Sequence, residues 1–327
     1  MANESKPKMI SAKVTYTPAW LTWVASVTSC LKALGSDCDL ADVAGMSGYA
    51  FHMCVVPGLC PSGPTMLNWA NLKNGVNCLG WAALDFMTCE CHVEGHINEL
   101  TKAHAKTAFE LATREVKANR PCVIWGTYVP EFGVVVGVEK DSYIVKSFKE
   151  VTGEPQPPIK YDDVKAPGGI YLLAFPNPRT KSGPMADHYA IDNAVLTFNY
   201  SFGDIAFGGK AYDKWMEELK AKKADAFGIS YNTACYAEGR KFARVFLERL
   251  AKRNNSVSAD LTRASELYGK ASDAMEKMTR LFPFPGKSGV VVDDEKIINE
   301  AVENLKISKD SECKAMEILA RVASKPW

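Results

Sequence analysis

The sequence predicts an α+β fold in two parts: an α+β domain over residues 1–178 and an all-helical domain over 184–327. Three observations predict it. The stretch up to about residue 118 is dominated by helical periodicity, residues 122–175 hold four short β-branched and aromatic runs, and everything past 184 returns to the helical period. A chain of 327 residues also exceeds the roughly 250–300 that a single core usually serves.

The first element is a buried helix over 19–34. Leu21, Val24, Ala25, Thr28 and Leu31 recur at helical spacing, and Gly35 stands just past the end, where a left-handed residue closes a helix. A short helical pattern, DLADVAGMSGYAF, follows. The loop VVPGLCPSGPTMLNW comes next, and its three prolines and two glycines exclude a long regular element. Residues 97–118 form an amphipathic helix that ends before Arg120-Pro121. From there the period becomes that of strands: CVIWGTYV, FGVVVGVEK, SYIVKSF and GIYLLAF are separated by turn residues, as an antiparallel sheet requires.

The segment PNPRTKSGP, 176–184, has the composition of a linker and marks the domain boundary. Beyond it no convincing strand is expected. Helices are expected over 186–200, 208–222, 230–253 and 258–281, with a terminal pair over 293–324. Within 230–253, Ala237, Phe242, Val245, Phe246 and Leu250 form the apolar stripe, which leaves Arg240, Lys241, Arg244, Glu248 and Arg249 to face water. LFPFPGKSGVVVDD interrupts the bundle and makes the last helices a detachable cap. There is no internal repeat and no low-complexity tract.

Composition narrows the function classes. With 47% hydrophobic and 24% charged residues and a formal net charge of +1, the chain reads as an ordinary soluble globular protein with no basic field for nucleic acid or an anionic membrane. The N-terminus lacks the apolar run of a secretory signal, and no segment supplies the roughly 18 apolar residues of a membrane span. A cytoplasmic location is expected, and with it ten reduced cysteines whose scattered spacing gives no disulfide framework. No cofactor is implied.

The glycine-ended helix, GMSGYAF, CPSGP, the strand pair around PEFGVVVGVEKDSYIV and the later AYDKWMEEL together resemble papain-like families. These include bacteriocin-processing peptidases and the N-terminal domain of butirosin biosynthesis protein H, which moves an acyl group from a carrier protein to an aminoglycoside amine. The likeness to the latter extends over most of the chain. It implies a catalytic cysteine thirteen residues before the terminal glycine, a position held here by Thr22. It implies an oxyanion-binding glutamine six residues earlier, where this chain has Tyr16. The histidine position falls on Glu131, and the Asp or Asn position falls at about Ser147, with one hairpin slip able to change that last assignment. None of the four carries the family's residue. A threonine hydroxyl is far too weak an acid for a helix dipole to ionise, so catalysis would need Glu131 as a base of raised pKa. The plainer expectation is a threonine at a helix start and a carboxylate bonded to backbone amides, with the site kept as a pocket or lost.

Other residues compete for a chemical role. Cys30 lies eight residues down the buried helix, about 12 Å from its mouth at 1.5 Å per residue, and reads as a core thiol. Cys60, on the proline-rich loop, is the better candidate for a reactive one. Cys89, Cys91, His92 and His96 have the residue types of a zinc site but the wrong spacing, so no metal is expected. His104 and His188 have no partners in sequence. GGKAYDKW opens a helix, and with no strand before it its glycines do not make a phosphate loop. The aromatic residues Tyr16, Trp20, Trp23, Tyr49, Phe51, Trp69, Trp125, Tyr128 and Phe132 gather on segments expected around the cleft, as core or as apolar walls. With Cys60, Asn68 and Ser147, the residues Tyr16, Trp20, Trp23 and Trp125 define the candidate pocket around Thr22 and Glu131. Three functions stay open: a scaffold without the triad that binds a small molecule, peptide or partner, an acyltransferase or amide-cleaving enzyme using Thr22 or a loop cysteine, and a structural subunit. A homo-oligomer is compatible with all three.

Overall fold

The computed structural model describes residues 7–88, 97–164, 166–181, 183–203, 205–285 and 293–327. The side chains of 97–101 are outside that description. In chain order the elements are β1 (Lys8–Met9), α1 (Thr22–Ala33), α2 (Leu40–Met46), β2 (Cys54–Val55), α3 (Trp69–Cys78), β3 (Leu84–Met87), α4 (Ile97–Lys117), β4 (Cys122–Trp125), β5 (Phe132–Glu139), β6 (Ser142–Lys146), α5 (Lys149–Thr152), β7 (Ile159–Lys160) and β8 (Tyr171–Ala174). They continue with α6 (Pro184–Phe198), β9 (Ala206–Phe207), α7 (Gly208–Lys220), α8 (Ala226–Arg253), α9 (Ser258–Leu281) and α10 (Glu295–Ala323). The fold is mixed α+β with an antiparallel sheet and a helical C-terminal region. Among the described residues no helix is long and apolar enough to cross a membrane.

The chain divides by contact into two compact units, and each is discontinuous. The first comprises Met1–Val43 and Val76–Lys181, the second Ala44–Gly75 and Ser182–Trp327. Residues 44–75, which the sequence assigned to the first domain, therefore pack with the helices of the second. The physical reason is their composition: Met53, Val55 and Leu59 are fully apolar and join the helical core beside Tyr212, Trp215, Tyr236, Met275 and Phe282.

In the first unit a seven-stranded sheet runs β3-β8-β4-β5-β6-β7, with β1 also pairing to β5, every pairing antiparallel. The β-branched runs form β4 to β6 and β8 where expected. The two-residue strands β1 and β7 are too short to display a period, and β3, LDFM, has no β-branched residue to mark it. Strand alternation puts Tyr171 and its neighbour Leu172 on opposite faces. Tyr171 shares its face with Phe132 (ring centroids 5.9 Å apart) and meets Trp23 of α1, whereas Phe86, paired with Leu172, meets His104 of α4 at 6.2 Å. The sheet is thus covered by α1 on one face and α4 on the other. Ten residues of α1, Thr22 to Leu31, are buried in succession, so the helix shows no polar face. Gly35 has φ +90°, the left-handed residue the helix end requires.

In the second unit α8 and α9 pack along each other, and α10 packs along α9. Asp225 accepts from Gly228 N (2.6 Å) and Asp294 from Lys296 N and Ile297 N (2.8 and 3.1 Å), which caps α8 and α10. Three expectations are corrected. The terminal pair of helices is one 29-residue helix, α10, and no proline or glycine lies within it to break it. It is no detachable cap, since Ile298, Ala301, Val302 and Leu305 belong to the central core. A short strand, β9, does exist beyond residue 184, paired to β2 (Cys54↔Phe207). Gly45 lets α2 meet α8: an added Cβ would lie 2.1 Å from the Phe246 ring.

A fourth correction concerns Arg240, expected to face water. It is 0% exposed. Its Nη2 donates to Glu312 Oε2 (2.9 Å) and its Nη1 to the carbonyl of His52 (2.8 Å). Glu312 also accepts from Tyr212 OH (2.6 Å) and Tyr268 OH (3.0 Å). A buried guanidinium is tolerated only with this degree of pairing.

Candidate functional site

The site of the first unit is built where α1 meets the start of β5. The chain between β4 and β5 turns tightly. Gly126, at φ +79°, and Thr127 donate their N–H groups to the Glu131 carbonyl (3.0 and 3.2 Å), and Glu131 N donates to Val129 O (2.6 Å). Gly133 permits this return, because a Cβ there would lie 2.7 Å from the Thr127 methyl and 2.8 Å from Val145. The turn fixes Glu131 at the mouth of α1.

Thr22, the first residue of α1, donates its hydroxyl proton to Glu131 Oε2 and accepts from the backbone N–H of Phe132 at 3.2 Å. The two candidate catalytic side chains are therefore in direct contact. Thr22 is buried, at 7% exposure, and Glu131 is half-buried. The Phe132 amide is the member of this group that sequence reasoning missed. The register that the sequence resemblance implies concerns the side chain of residue 131 and carries no information on the next backbone N–H.

No protein-family model matches this chain, and no curated protein matches it either.

The remaining sequence-predicted residues distribute differently. Tyr16 is buried at the entry to α1, and its N–H donates to Glu150 Oε2 at 3.3 Å. Trp20 is 38% exposed. Trp125 closes β4, with its ring 4.6 Å from that of Phe132 and its Nε1 donating to Pro167 O (3.0 Å). Trp23 and Ser147 are wholly buried. Trp23 Nε1 donates to Tyr171 OH (3.3 Å), and Ser147 gives both its N–H and its hydroxyl to Gln156 Oε1 (2.8 and 2.9 Å). These two are parts of the interior, not walls of an open cleft. Cys60 and Asn68 belong to the second unit, where Cys60 Sγ accepts from Ser62 Oγ (3.2 Å) and Asn68 Oδ1 accepts from Ala70 N (3.1 Å) as α3 begins.

The thiols are poor nucleophiles where burial raises them. Burial pushes Cys30 and Cys122 well above the usual thiol range, Cys54 to about 12 and Cys313 to about 11. Cys30 is a fully buried core thiol, as its place in the helix implied. Among the described residues no group of three or more His, Cys, Asp or Glu is arranged to hold a metal. The Cys89, Cys91, His92 and His96 cluster lies outside the described residues. His188, expected to lack partners, has Asp192 Oδ2 and the Lys325 carbonyl each 3.2 Å from a ring nitrogen.

Proposed function

We propose that the first unit is a papain-like scaffold without the chemistry of that fold, and that the surface around the head of α1 holds a small molecule, peptide or partner instead of turning one over. One observation carries this: the Thr22 hydroxyl is closed. Its single proton is given to Glu131 and one lone pair is taken by the Phe132 amide. A nucleophile must present a lone pair to an incoming carbonyl, and a residue 7% exposed has little room to do so. A carboxylate is also a far weaker base than an alkoxide, so the hydrogen bond leaves the proton on the hydroxyl. Apolar contact surface lies close by in the chain. Trp20, two residues before Thr22, is 38% exposed, and Val129, two residues before Glu131, is 40% exposed. Such groups suit ligand contact.

A second reading rests on the same bond, because a hydroxyl within reach of a carboxylate is also the geometry of a nucleophile and its base. Steady-state assays separate the two. The full-length protein and Thr22→Ala would be compared on p-nitrophenyl esters, peptide anilides and an acyl thioester with amine acceptors. No turnover in either supports the scaffold; turnover in the wild type that is lost in T22A overturns it.

A further inference from the structure

The helical unit contains a buried histidine whose surroundings oppose a charge on it while it stays docked. His52 is 3% exposed within residues 49–65, a strap of single helical turns, the short strand β2 and loop laid across α8. The strap is held through its own backbone by β9, which pairs with β2 (Cys54↔Phe207), and by one face of α8. Asn232 Nδ2 donates to the carbonyls of Leu59 (2.9 Å) and Cys60 (3.2 Å). Tyr236 OH donates to Cys54 O (2.5 Å) and accepts from Cys54 N (3.1 Å), and Arg240 Nη1 donates to His52 O (2.8 Å). These three residues recur every four positions, so they form a single row along the helix.

The His52 ring lies in an aromatic box, with centroids 6.1 Å from Tyr49, 6.2 Å from Phe207 and 6.2 Å from Tyr236. Its Nε2 lies 3.1 Å from Gly63 O. A carbonyl only accepts, so Nε2 carries the proton of the neutral ring. Nδ1 is buried and has no hydrogen-bond partner among the described residues. A second proton would have to sit on Nδ1, with no acceptor, in the field of Arg240.

The charged and titratable groups around it do not relieve this. From α8 come Arg240 and Tyr236, from β2 comes Cys54, and the strap itself brings Tyr49. The nearest carboxylate in the network, Glu312 of α10, is already bonded to Arg240, to Tyr212 of α7 and to Tyr268 of α9. β9, Ala206–Phe207, brings no charged or titratable group, and its Phe207 ring faces the imidazole.

We propose that His52 makes residues 49–65 an acid-released strap: protonating its imidazole undocks this segment from α8, and the helical core that shares Met53, Val55 and Leu59 loosens with it, while the sheet of the first unit stays formed. Burial, with a smaller contribution from Arg240, depresses the imidazole from 6.5 to about 4. A depressed histidine contributes stability that is complete above its unfolded value and lost as pH falls. Docking therefore holds above about pH 6.5 and weakens toward pH 4.

Hydrogen–deuterium exchange on the full-length protein at pH 7 and pH 4.5, corrected for intrinsic exchange rates, tests this. Peptides from 49–65 should lose protection by roughly tenfold or more on acidification, while those from 132–146 in the sheet of the first unit hold theirs. In His52→Gln, which can still donate to Gly63 O but does not titrate, the loss should shrink below about threefold. A wild-type strap unmoved by acid, an H52Q strap that follows the wild type, or simultaneous loss in 132–146 would each overturn the proposal. If H52Q does not fold, the wild type decides. The NMR titration midpoint of the His52 ring and the midpoint of strap exchange must then coincide, and separate midpoints overturn it.

Discussion

Thr22 and Glu131, 109 positions apart in the chain, share a hydrogen bond that ties the first turn of α1 to the edge of β5, and the Phe132 amide completes the tie from the other side. In a catalytic site such a hydroxyl is kept approachable. Here it is enclosed, and its energetic role is that of a joint between helix and sheet.

A joint has a measurable stability. Thr22→Val keeps the shape and removes the hydroxyl, and with it one acceptor for the buried Phe132 N–H and one donor to Glu131. A loss of about 1–3 kcal/mol is expected, read from denaturant midpoints. Glu131→Gln keeps an acceptor oxygen and should cost under about 1 kcal/mol. Equal losses from the two variants would mean that the charge, not the hydrogen bond, holds the joint.

The Arg240–Glu312 pair, fully buried in the second unit, should behave asymmetrically. Arg240→Met leaves Glu312 buried with only tyrosine donors, and about 3–5 kcal/mol of destabilisation is expected. The double variant Arg240→Met/Glu312→Leu should recover a good part of it. A double variant as unstable as the sum of the singles would show that the two side chains act independently.

High pH should destabilise the protein through its buried thiols. The Cys54 thiol is raised by burial to about 12, so the folded state keeps its proton where the unfolded chain has lost it. The contribution is whole below about pH 8.5–9 and disappears as pH rises toward 12, at about 1.4 kcal/mol per pH unit in that window. Unfolding free energies from pH 8 to 11, compared with Cys54→Ala, check the slope. Site-resolved alkylation of native protein should meanwhile label Cys60 and spare Cys30, Cys54 and Cys122.

The second unit should not fold as residues 182–327 alone. Without 52–60, Asn232, Tyr236 and Arg240 lose their backbone partners and the core loses Met53, Val55 and Leu59. Near-ultraviolet circular dichroism of that fragment should be flat, with helix retained in the far ultraviolet. A fragment with the native near-ultraviolet spectrum would show that the strap is dispensable.

Much of the architecture was legible because it is local. The period of 122–174, the glycine after α1 and the amphipathic stretches past 184 each report on neighbours a few residues away. The Thr22–Glu131 contact is not legible from either segment alone, and the two residues were brought together in the sequence only by a resemblance. Arg240 was misread because a basic residue among Lys241, Arg244 and Arg249 looks solvated, and its partner Glu312 is 72 positions on. The attachment of 44–75 to the helices was hidden for the same reason, its clamps lying 172 to 188 positions away. The single helix α10 could have been found: an uninterrupted run without proline or glycine gave no cause to divide it.

The central claim, that Thr22 is a closed structural hydroxyl, is tested most directly by exposing the full-length protein to a fluorophosphonate, which phosphonylates activated hydroxyls, and locating adducts by peptide mass spectrometry. The account predicts no adduct at Thr22. An adduct at Thr22 in the wild type that disappears in Glu131→Gln would contradict it, and would make the pair a nucleophile and its base.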